Sequence, residues 1–184
     1  MKKQTRQGTL RQLLLAAVFG ALITVLTFHI KIPVQNGYIH LGDSLIYLAA
    51  CILPAPLAML SAALGGALAD TLGGYTIYIV PTLIIKALLV PAFDRSSKRM
   101  LTARSIFALI FASAITVAGY YLTEAVLIGA SIGEIFSSSA AWSAALYTVP
   151  SSIIQALGNA VFFIIIAVSL DKINIKDRIL RWQI

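Results

Sequence analysis

Residues 37–89 read GYIHLGDSLIYLAACILPAPLAMLSAALGGALADTLGGYTIYIVPTLIIKALL. This stretch is almost entirely apolar, yet it contains four ionisable residues, His40, Asp43, Asp70 and Lys86, and glycines and prolines interrupt it. In a lipid bilayer such a segment forms closely packed helices, because a helix satisfies its own backbone hydrogen bonds. Ionisable side chains that face lipid are strongly unfavourable. We therefore expect these four side chains to face protein or a water-filled cavity and to mark the edge of a site.

The composition of the whole chain predicts an all-α integral membrane protein. Hydrophobic residues make up 59% of its 184 residues and charged residues 11%, against about 45–50% and about 25% in soluble proteins. This length accommodates six segments of about 20 residues each, with short connections. We expect a compact bundle of six transmembrane helices in a single domain, residues 1–184, with approximate spans at 10–28, 43–53, 57–72, 75–91, 106–128 and 147–170.

The basic residues predict the orientation of these spans. Of the 14 Lys and Arg residues, 12 lie in the N-terminal flank, in the loop after the fourth span or in the C-terminal tail, and Lys31 and Lys86 are the exceptions. Six spans place these three regions on one side, and the positive-inside rule makes that side the cytoplasm. We expect a multi-pass protein of the cell membrane with both termini cytoplasmic. The N-terminal segment also resembles a signal peptide, but it lacks a convincing cleavage site, so we interpret it as a retained first helix.

The predicted outer ends of the spans collect aromatic and polar side chains. Such a set suits a small, flat, polar molecule, which stacks on rings while its heteroatoms form hydrogen bonds. The aromatic residues are equally consistent with an ordinary interfacial belt. Polar groups within spans, such as Glu124 and Asn159, are costly unless they are used or paired. Asp43 stands where it would cap a helix, and Asp70 either caps a turn or faces a cavity.

Motifs for catalysis and for metal binding are missing from the sequence. His29 and His40 do not form a His-x-x-x-His pair, and there is no Gly-x-Ser-x-Gly or Walker sequence. We predict no catalytic residues, no metal and no cofactor, and any energy for uphill transport must come from an ion gradient or a partner. Cys51 is the sole cysteine and is expected to be a buried thiol. Ala17 and Ala21 are spaced four apart, which favours close helix contact, either within this chain or with another membrane protein.

The size, the six predicted spans, the long first outer loop and the Ala17-x-x-x-Ala21 spacing resemble the substrate-binding S components of energy-coupling factor (ECF) vitamin transporters. Three sequences, at residues 37–43, 66–70 and 81–86, are similar to the subgroup assigned to pyridoxine or hydroxymethylpyrimidine uptake. The resemblance implies a non-enzymatic protein that captures its vitamin from outside beneath the first loop. It also implies partners, namely a transmembrane coupling protein that carries two ATPase subunits.

The resemblance also implies roles for individual residues. Ala17 and Ala21 match the motif by which S components dock on the coupling protein. Asp43, Asp70 and Lys86 match motifs of the subgroup or form an internal charge network. The implied vitamin contacts are Tyr38 and His40 in the lid, Tyr78 and Tyr121 as stacking residues, and Glu124 and Asn159 as polar contacts. Pyridoxine is the first choice of ligand, with hydroxymethylpyrimidine, riboflavin, thiamine or a queuosine precursor as alternatives. The residues alone are also consistent with two other functions, a stand-alone secondary transporter and a membrane-embedded enzyme.

Overall fold

The computed structural model describes residues 6–34 and 37–182, and it is mostly helical. Lys2 and Lys3 of the predicted basic flank lie outside these ranges. The two strands, β1 (Lys31–Val34) and β2 (Gly37–His40), form an antiparallel hairpin. The helices are α1 (Arg6–His29), α2 (Asp43–Ile52), α3 (Ala55–Gly73), α4 (Ile79–Leu88, preceded by a 3₁₀ turn at Thr76–Tyr78), α5 (Ala103–Ser131), α6 (Ser139–Ala145), α7 (Thr148–Lys172) and α8 (Ile175–Trp182).

The predicted count of six membrane spans is not confirmed by helix length. Within the described residues, four segments are long and apolar enough to cross a membrane: Arg6–His29, Ala55–Gly73, Ala103–Ser131 and Ser139–Lys172. Each of the other two predicted spans overlaps a shorter apolar helix, Asp43–Ile52 or Thr76–Leu88. A 10-residue helix such as α2 is about 15 Å long, half the thickness of a typical hydrocarbon core. The sequence also did not predict the short helices α6 and α8.

The hairpin is the largest departure from the all-α prediction. Its register pairs Ile32 with Ile39 and Pro33 with Tyr38, and these β-branched and aromatic residues suit a pleated strand. The segment was interpreted as a loop because its polar and glycine residues interrupt the apolar pattern. The structure therefore has an antiparallel hairpin where a loop was expected, and this hairpin connects the end of α1 to the start of α2.

Small residues bring the first helices into close contact. The hydroxyl of Ser61 on α3 donates to the Ala16 carbonyl of α1 at 2.8 Å, and the Thr24 hydroxyl of α1 donates to the Gly65 carbonyl at 3.0 Å. A Cβ atom on Gly65 would lie 2.9 Å from the Gly20 carbonyl oxygen, closer than real Cβ contacts allow. The side of α1 that carries Ala16 and Gly20 is thus fitted against α3, as expected for small residues four apart.

The apolar core lies towards the end of the bundle opposite the hairpin. There the ring of Tyr47 stacks on Phe93 with centroids 5.2 Å apart, and Phe163 meets both rings edge-on. Cys51 is buried in this core, as predicted. At the same end Arg11 donates to the Trp182 carbonyl at 2.7 Å, so the beginning of α1 and the end of α8 lie together. The hairpin end of the bundle contains a cavity whose lining includes several polar residues.

Candidate functional site

A cavity of about 370 Å³ lies beneath the hairpin. Five tyrosines line it, together with three charged residues and several hydroxyl and amide side chains. The tyrosines are Tyr38, Tyr75, Tyr78, Tyr120 and Tyr147, and the charged residues are Asp70, Lys86 and Glu124. Its volume is within the range of about 300–1,000 Å³ that is typical of small-molecule sites. The lining suits a small ring system with several hydrogen-bonding groups.

The second strand of the hairpin is fixed over the cavity by α7. The His40 amide donates to Gln155 Oε1 at 3.3 Å, and Asn159 Nδ2 donates to the His40 carbonyl at 2.8 Å. The Gly42 amide donates to His40 Nδ1 at 3.1 Å, so the neutral ring carries its proton on Nε2. Burial lowers the pKa of His40 to about 4. His40 is therefore an uncharged ring at neutral pH, with one N–H donor available.

Tyr38 joins the hairpin to α3 through a carboxylate. Its hydroxyl donates to Asp70 Oδ1 at 2.7 Å, and burial together with the nearby charge of Asp70 raises the pKa of Tyr38. The ammonium of Lys31 lies 5.2 Å from the centroid of the Tyr38 ring and 5.7 Å from that of Tyr75, within the range of cation–π attraction. These contacts keep a protonated phenol and an aromatic face at the upper side of the cavity.

The buried ion pair between Lys86 and Asp43 joins α4 to the start of α2. Lys86 Nζ lies 2.7 Å from Asp43 Oδ1 and 3.0 Å from Oδ2, and both side chains are almost completely buried. Lys86 Nζ also lies 5.3 Å from the centroid of the Tyr120 ring. Gly66 makes room for this arrangement, because a Cβ atom there would lie 3.0 Å from Lys86 Cγ. The single positive charge that lines the cavity is therefore already balanced by Asp43.

Glu124 on α5 is held by two tyrosines. Tyr78 donates to Glu124 Oε1, and Tyr147 donates to Oε2 at 2.9 Å. Glu124 and Tyr78 also line a second, more open cavity near the 3₁₀ turn and the end of α5. This group of three residues thus separates the main cavity from an outer depression.

The structure brings four of the six predicted contact residues to the cavity: Tyr38, His40, Tyr78 and Glu124. Tyr121 and Asn159 do not line it. Tyr121 instead donates to the Trp142 carbonyl at 3.2 Å and packs on the Trp142 ring. Asn159 is fully buried, and its Oδ1 accepts from the Ser44 amide at 2.9 Å. Asn159 therefore contacts the site through His40 rather than directly.

Several lining residues were not among the predicted contacts. Tyr120 lines the cavity in place of its neighbour Tyr121, and Thr82 and Gln155 lie four residues before Lys86 and Asn159 respectively. Residues four apart share a helix face. This spacing from a predicted polar residue is the signal that would have identified Thr82 and Gln155.

The Ala17-x-x-x-Ala21 pair lies on the outer surface of α1. Ala17 and Ala21 are both exposed, whereas Ala16 is buried and Gly20 lies close to Ser61. The two small-residue pairs of this helix thus have different surroundings. The pair Ala16 and Gly20 packs against α3, whereas Ala17 and Ala21 lie on the surface among larger exposed side chains such as Leu14 and Val18.

A helical membrane protein with a tyrosine-lined cavity beneath a hairpin has the architecture of a binding protein for a small solute. The family model for the S component of the ECF-type riboflavin transporter matches residues 7–172. The chain belongs to this family of S components, the substrate-binding subunits of vitamin transporters, which work with a transmembrane component and ATPases.

A solved structure described as the S component of a bacterial ECF transporter shares this fold. The TM-score is 0.69 at 18% sequence identity, and the match covers 90% of this chain and 98% of the other. A search of curated proteins gave no significant match. The family membership thus rests on the match to the family model, and the similarity to the solved structure supports the fold.

Proposed function

We propose that this chain captures a small heteroaromatic vitamin from outside the cell and delivers it through an ATP-driven coupling module, with pyridoxine as the vitamin. The observation that carries the proposal is the cavity of about 370 Å³, in which five tyrosines surround Asp70, Lys86 and Glu124. A pyridine ring with hydroxyl substituents complements such a lining, because the rings stack and the polar groups accept and donate hydrogen bonds.

In this proposal the hairpin is the lid of the site. Tyr38 and His40 contact the vitamin from the lid, Tyr78 stacks against it, and Glu124 forms a polar contact. Asn159 supports the lid through its bond to the His40 carbonyl, and Tyr121 supports α5 through its contact with Trp142. Asp43 and Lys86 form a charge network that fixes α2 against α4.

The proposed orientation has both termini in the cytoplasm and the hairpin outside. The contact between Arg11 and Trp182 supports placing both ends of the described chain on one side, and the clustering of basic residues in the flanks and in the loop 89–102 supports making that side cytoplasmic. The exposed Ala17 and Ala21 form the proposed docking strip for the transmembrane coupling protein, which carries two ATPase subunits.

Riboflavin is the second candidate, because the family model that matches this chain is that of a riboflavin S component. The two ligands differ in a way that the site can discriminate. Riboflavin adds a second and a third fused ring and a long polyol chain, and it needs a longer apolar surface for its dimethylbenzene edge. Asp70 of α3, Thr82 of α4 and Glu124 of α5 all line the cavity, which favours a smaller ring that carries hydrogen-bonding groups on several sides.

A binding titration of the detergent-purified full chain tests the proposal, with intrinsic tryptophan and tyrosine fluorescence as the signal. The panel contains pyridoxine, hydroxymethylpyrimidine, thiamine, riboflavin and queuine. We expect saturable binding of pyridoxine and no transport by the chain alone in vesicles. If riboflavin binds more strongly than pyridoxine, riboflavin becomes the proposed ligand. Vitamin uptake without a coupling module would favour a stand-alone transporter.

A further inference from the structure

Three buried polar atoms that belong to cavity-lining residues have no hydrogen-bond partner: Thr27 Oγ1, Asp70 Oδ2 and Thr82 Oγ1. They come from α1, α3 and α4. Among the described residues, six buried side-chain atoms form no hydrogen bond, and one of them, Asp43 Oδ1, is ion-paired with Lys86. The three named above are the ones whose residues line the main cavity. Nearly all buried polar groups in folded proteins have a partner. A ligand that carries hydrogen-bonding groups into the cavity would supply these atoms with partners.

All three side chains line the cavity, and those of Asp70 and Thr82 are neighbours. Asp70 uses Oδ1 to accept the Tyr38 hydroxyl, which leaves Oδ2 for another donor. The Thr82 hydroxyl lies close to the Asp70 carboxylate and to the Tyr120 hydroxyl, but it forms a hydrogen bond of ordinary geometry with neither. Thr27 lies beside Gly42, where a Cβ atom would fall 1.9 Å from Thr27 Oγ1. The absence of a side chain at Gly42 is therefore what gives the Thr27 hydroxyl its space.

The charges around the cavity indicate what Asp70 Oδ2 binds. Lys86 is paired with Asp43, and Glu124 is held by two tyrosine hydroxyls. Within residues 6–34 and 37–182, no basic side chain lies within ion-pair distance of Asp70. Asp70 and Glu124 are thus lining carboxyl groups that no described basic side chain pairs with, and of the two only Asp70 has an oxygen without a hydrogen-bond partner. A positively charged hydrogen-bond donor complements this oxygen better than a neutral one, because charge-assisted hydrogen bonds are about twice as strong.

We propose that Thr27, Asp70 and Thr82 form the recognition edge of the site, and that the ligand presents a positively charged ring N–H or amino group to Asp70 Oδ2. The two threonine hydroxyls bond the neighbouring polar substituents of the ring. This inference rests on the proposed function and narrows the substrate class to protonated pyridines and aminopyrimidines. Neutral flavins are then poor ligands.

Isothermal titration of the detergent-purified full chain tests this assignment with three probes. They are pyridoxine, its carbocyclic analogue with C–H in place of the ring nitrogen, and riboflavin. The variants are Thr82→Val and Asp70→Asn, which change polarity with little change in volume. Thr116→Val is the matched control, because Thr116 Oγ1 is equally buried and unpartnered but lies outside the cavity.

We expect Thr82→Val to weaken pyridoxine binding about tenfold, the effect of one lost hydrogen bond to a ligand. Asp70→Asn should weaken it at least as much and should abolish the preference for pyridoxine over the carbocyclic analogue. Thr116→Val should bind like the unmodified chain. A thermal melt of each variant confirms that it is folded. If Asp70→Asn does not fold, the pyridoxine affinity of Thr82→Val tests the recognition edge.

Unchanged pyridoxine affinity in folded Thr82→Val and Asp70→Asn would overturn the recognition edge and leave the proposed function standing. Tighter binding of riboflavin than of pyridoxine by the unmodified chain would overturn the requirement for a positive charge. If the folded, unmodified chain binds none of the three probes, the choice of pyridoxine fails and this inference fails with it.

Discussion

Removal of the ammonium group from the Lys86–Asp43 pair has a calculable cost. Lys86→Met retains most of the side-chain volume, and it leaves the Asp43 carboxylate buried without its cation. Breaking a buried ion pair in this way costs about 3–5 kcal/mol. Asp43 is the first residue of α2, where the helix N-terminus stabilises a negative charge by up to about 2 kcal/mol, and Gln155 Nε2 lies 3.5 Å from it. Because both effects survive the substitution, we expect a loss of about 3 kcal/mol.

The lone cysteine supplies the assay. Cys51 is fully buried, so a thiol-reactive fluorophore reports the opening of the core as the detergent-purified protein is heated. For a chain of this length about 3 kcal/mol corresponds to a decrease in melting temperature of about 6–12 °C. Lys98→Met makes the same chemical change at an exposed position and should leave the melting temperature unchanged.

The double variant Asp43→Asn/Lys86→Met distinguishes an unpaired charge from a loss of packing. It has no buried charge at either position, so it should regain most of the lost stability. Our reasoning is refuted if Lys86→Met melts with the unmodified protein, or if the double variant is less stable than both single variants.

Three further predictions concern α1, its contact with α3, and the hairpin. Ala17→Phe or Ala21→Phe should leave vitamin binding intact and abolish uptake by the assembled transporter, because both residues are exposed; equal loss of binding and uptake would contradict the docking role. Gly65→Ala should destabilise the chain by about 1–3 kcal/mol, because its Cβ would lie 2.9 Å from atoms of α1. In the control Gly37→Ala the new Cβ meets nothing within 4 Å, so its melting temperature should equal that of the unmodified protein. The pKa of His40 falls from 6.5 to about 4 on folding, so between pH 4 and 6.5 the unfolded chain binds more protons than the folded chain. The free energy of unfolding should therefore decrease as the pH is lowered from about 6.5 to about 4. His40→Gln should flatten this dependence in thermal melts, and an unchanged slope would assign it to other groups.

The sequence predicted the positions of polar groups along the helices better than it predicted the direction in which they point. Asp70 and Lys86 were expected to face protein or a cavity because lipid exposure is costly, and both line the cavity. The choice between Tyr120 and Tyr121 depends on the rotation of α5, since adjacent residues point about 100° apart on a helix. Because glycine and alanine lie on several sides of the neighbouring helices, the sequence does not determine which side of α5 packs against them.

The recognition edge was invisible in the sequence for a different reason. A threonine in a membrane helix usually bonds to the carbonyl four residues earlier, as Thr24 does to Gly20 at 2.9 Å. Thr27 and Thr82 leave their hydroxyls unused. The spacing from Lys86 places Thr82 on the face of the site, but no local pattern shows that its hydroxyl, or that of Thr27, lacks the bond that Thr24 makes. Only the packing of α1, α3 and α4 around the cavity distinguishes the two kinds of threonine.

The enclosure of α2 has a consequence for how the protein assembles in the membrane. Nine of its ten residues are buried, so this helix has neither the length to span the bilayer alone nor a side suited to lipid. The Ser44 amide and the Asp43 carboxylate at its start depend on Asn159 of α7 and Lys86 of α4. Because α7 is synthesised long after α2, the centre of the bundle is completed only when nearly the whole chain has left the ribosome, and a chain that stops before α7 lacks a finished core.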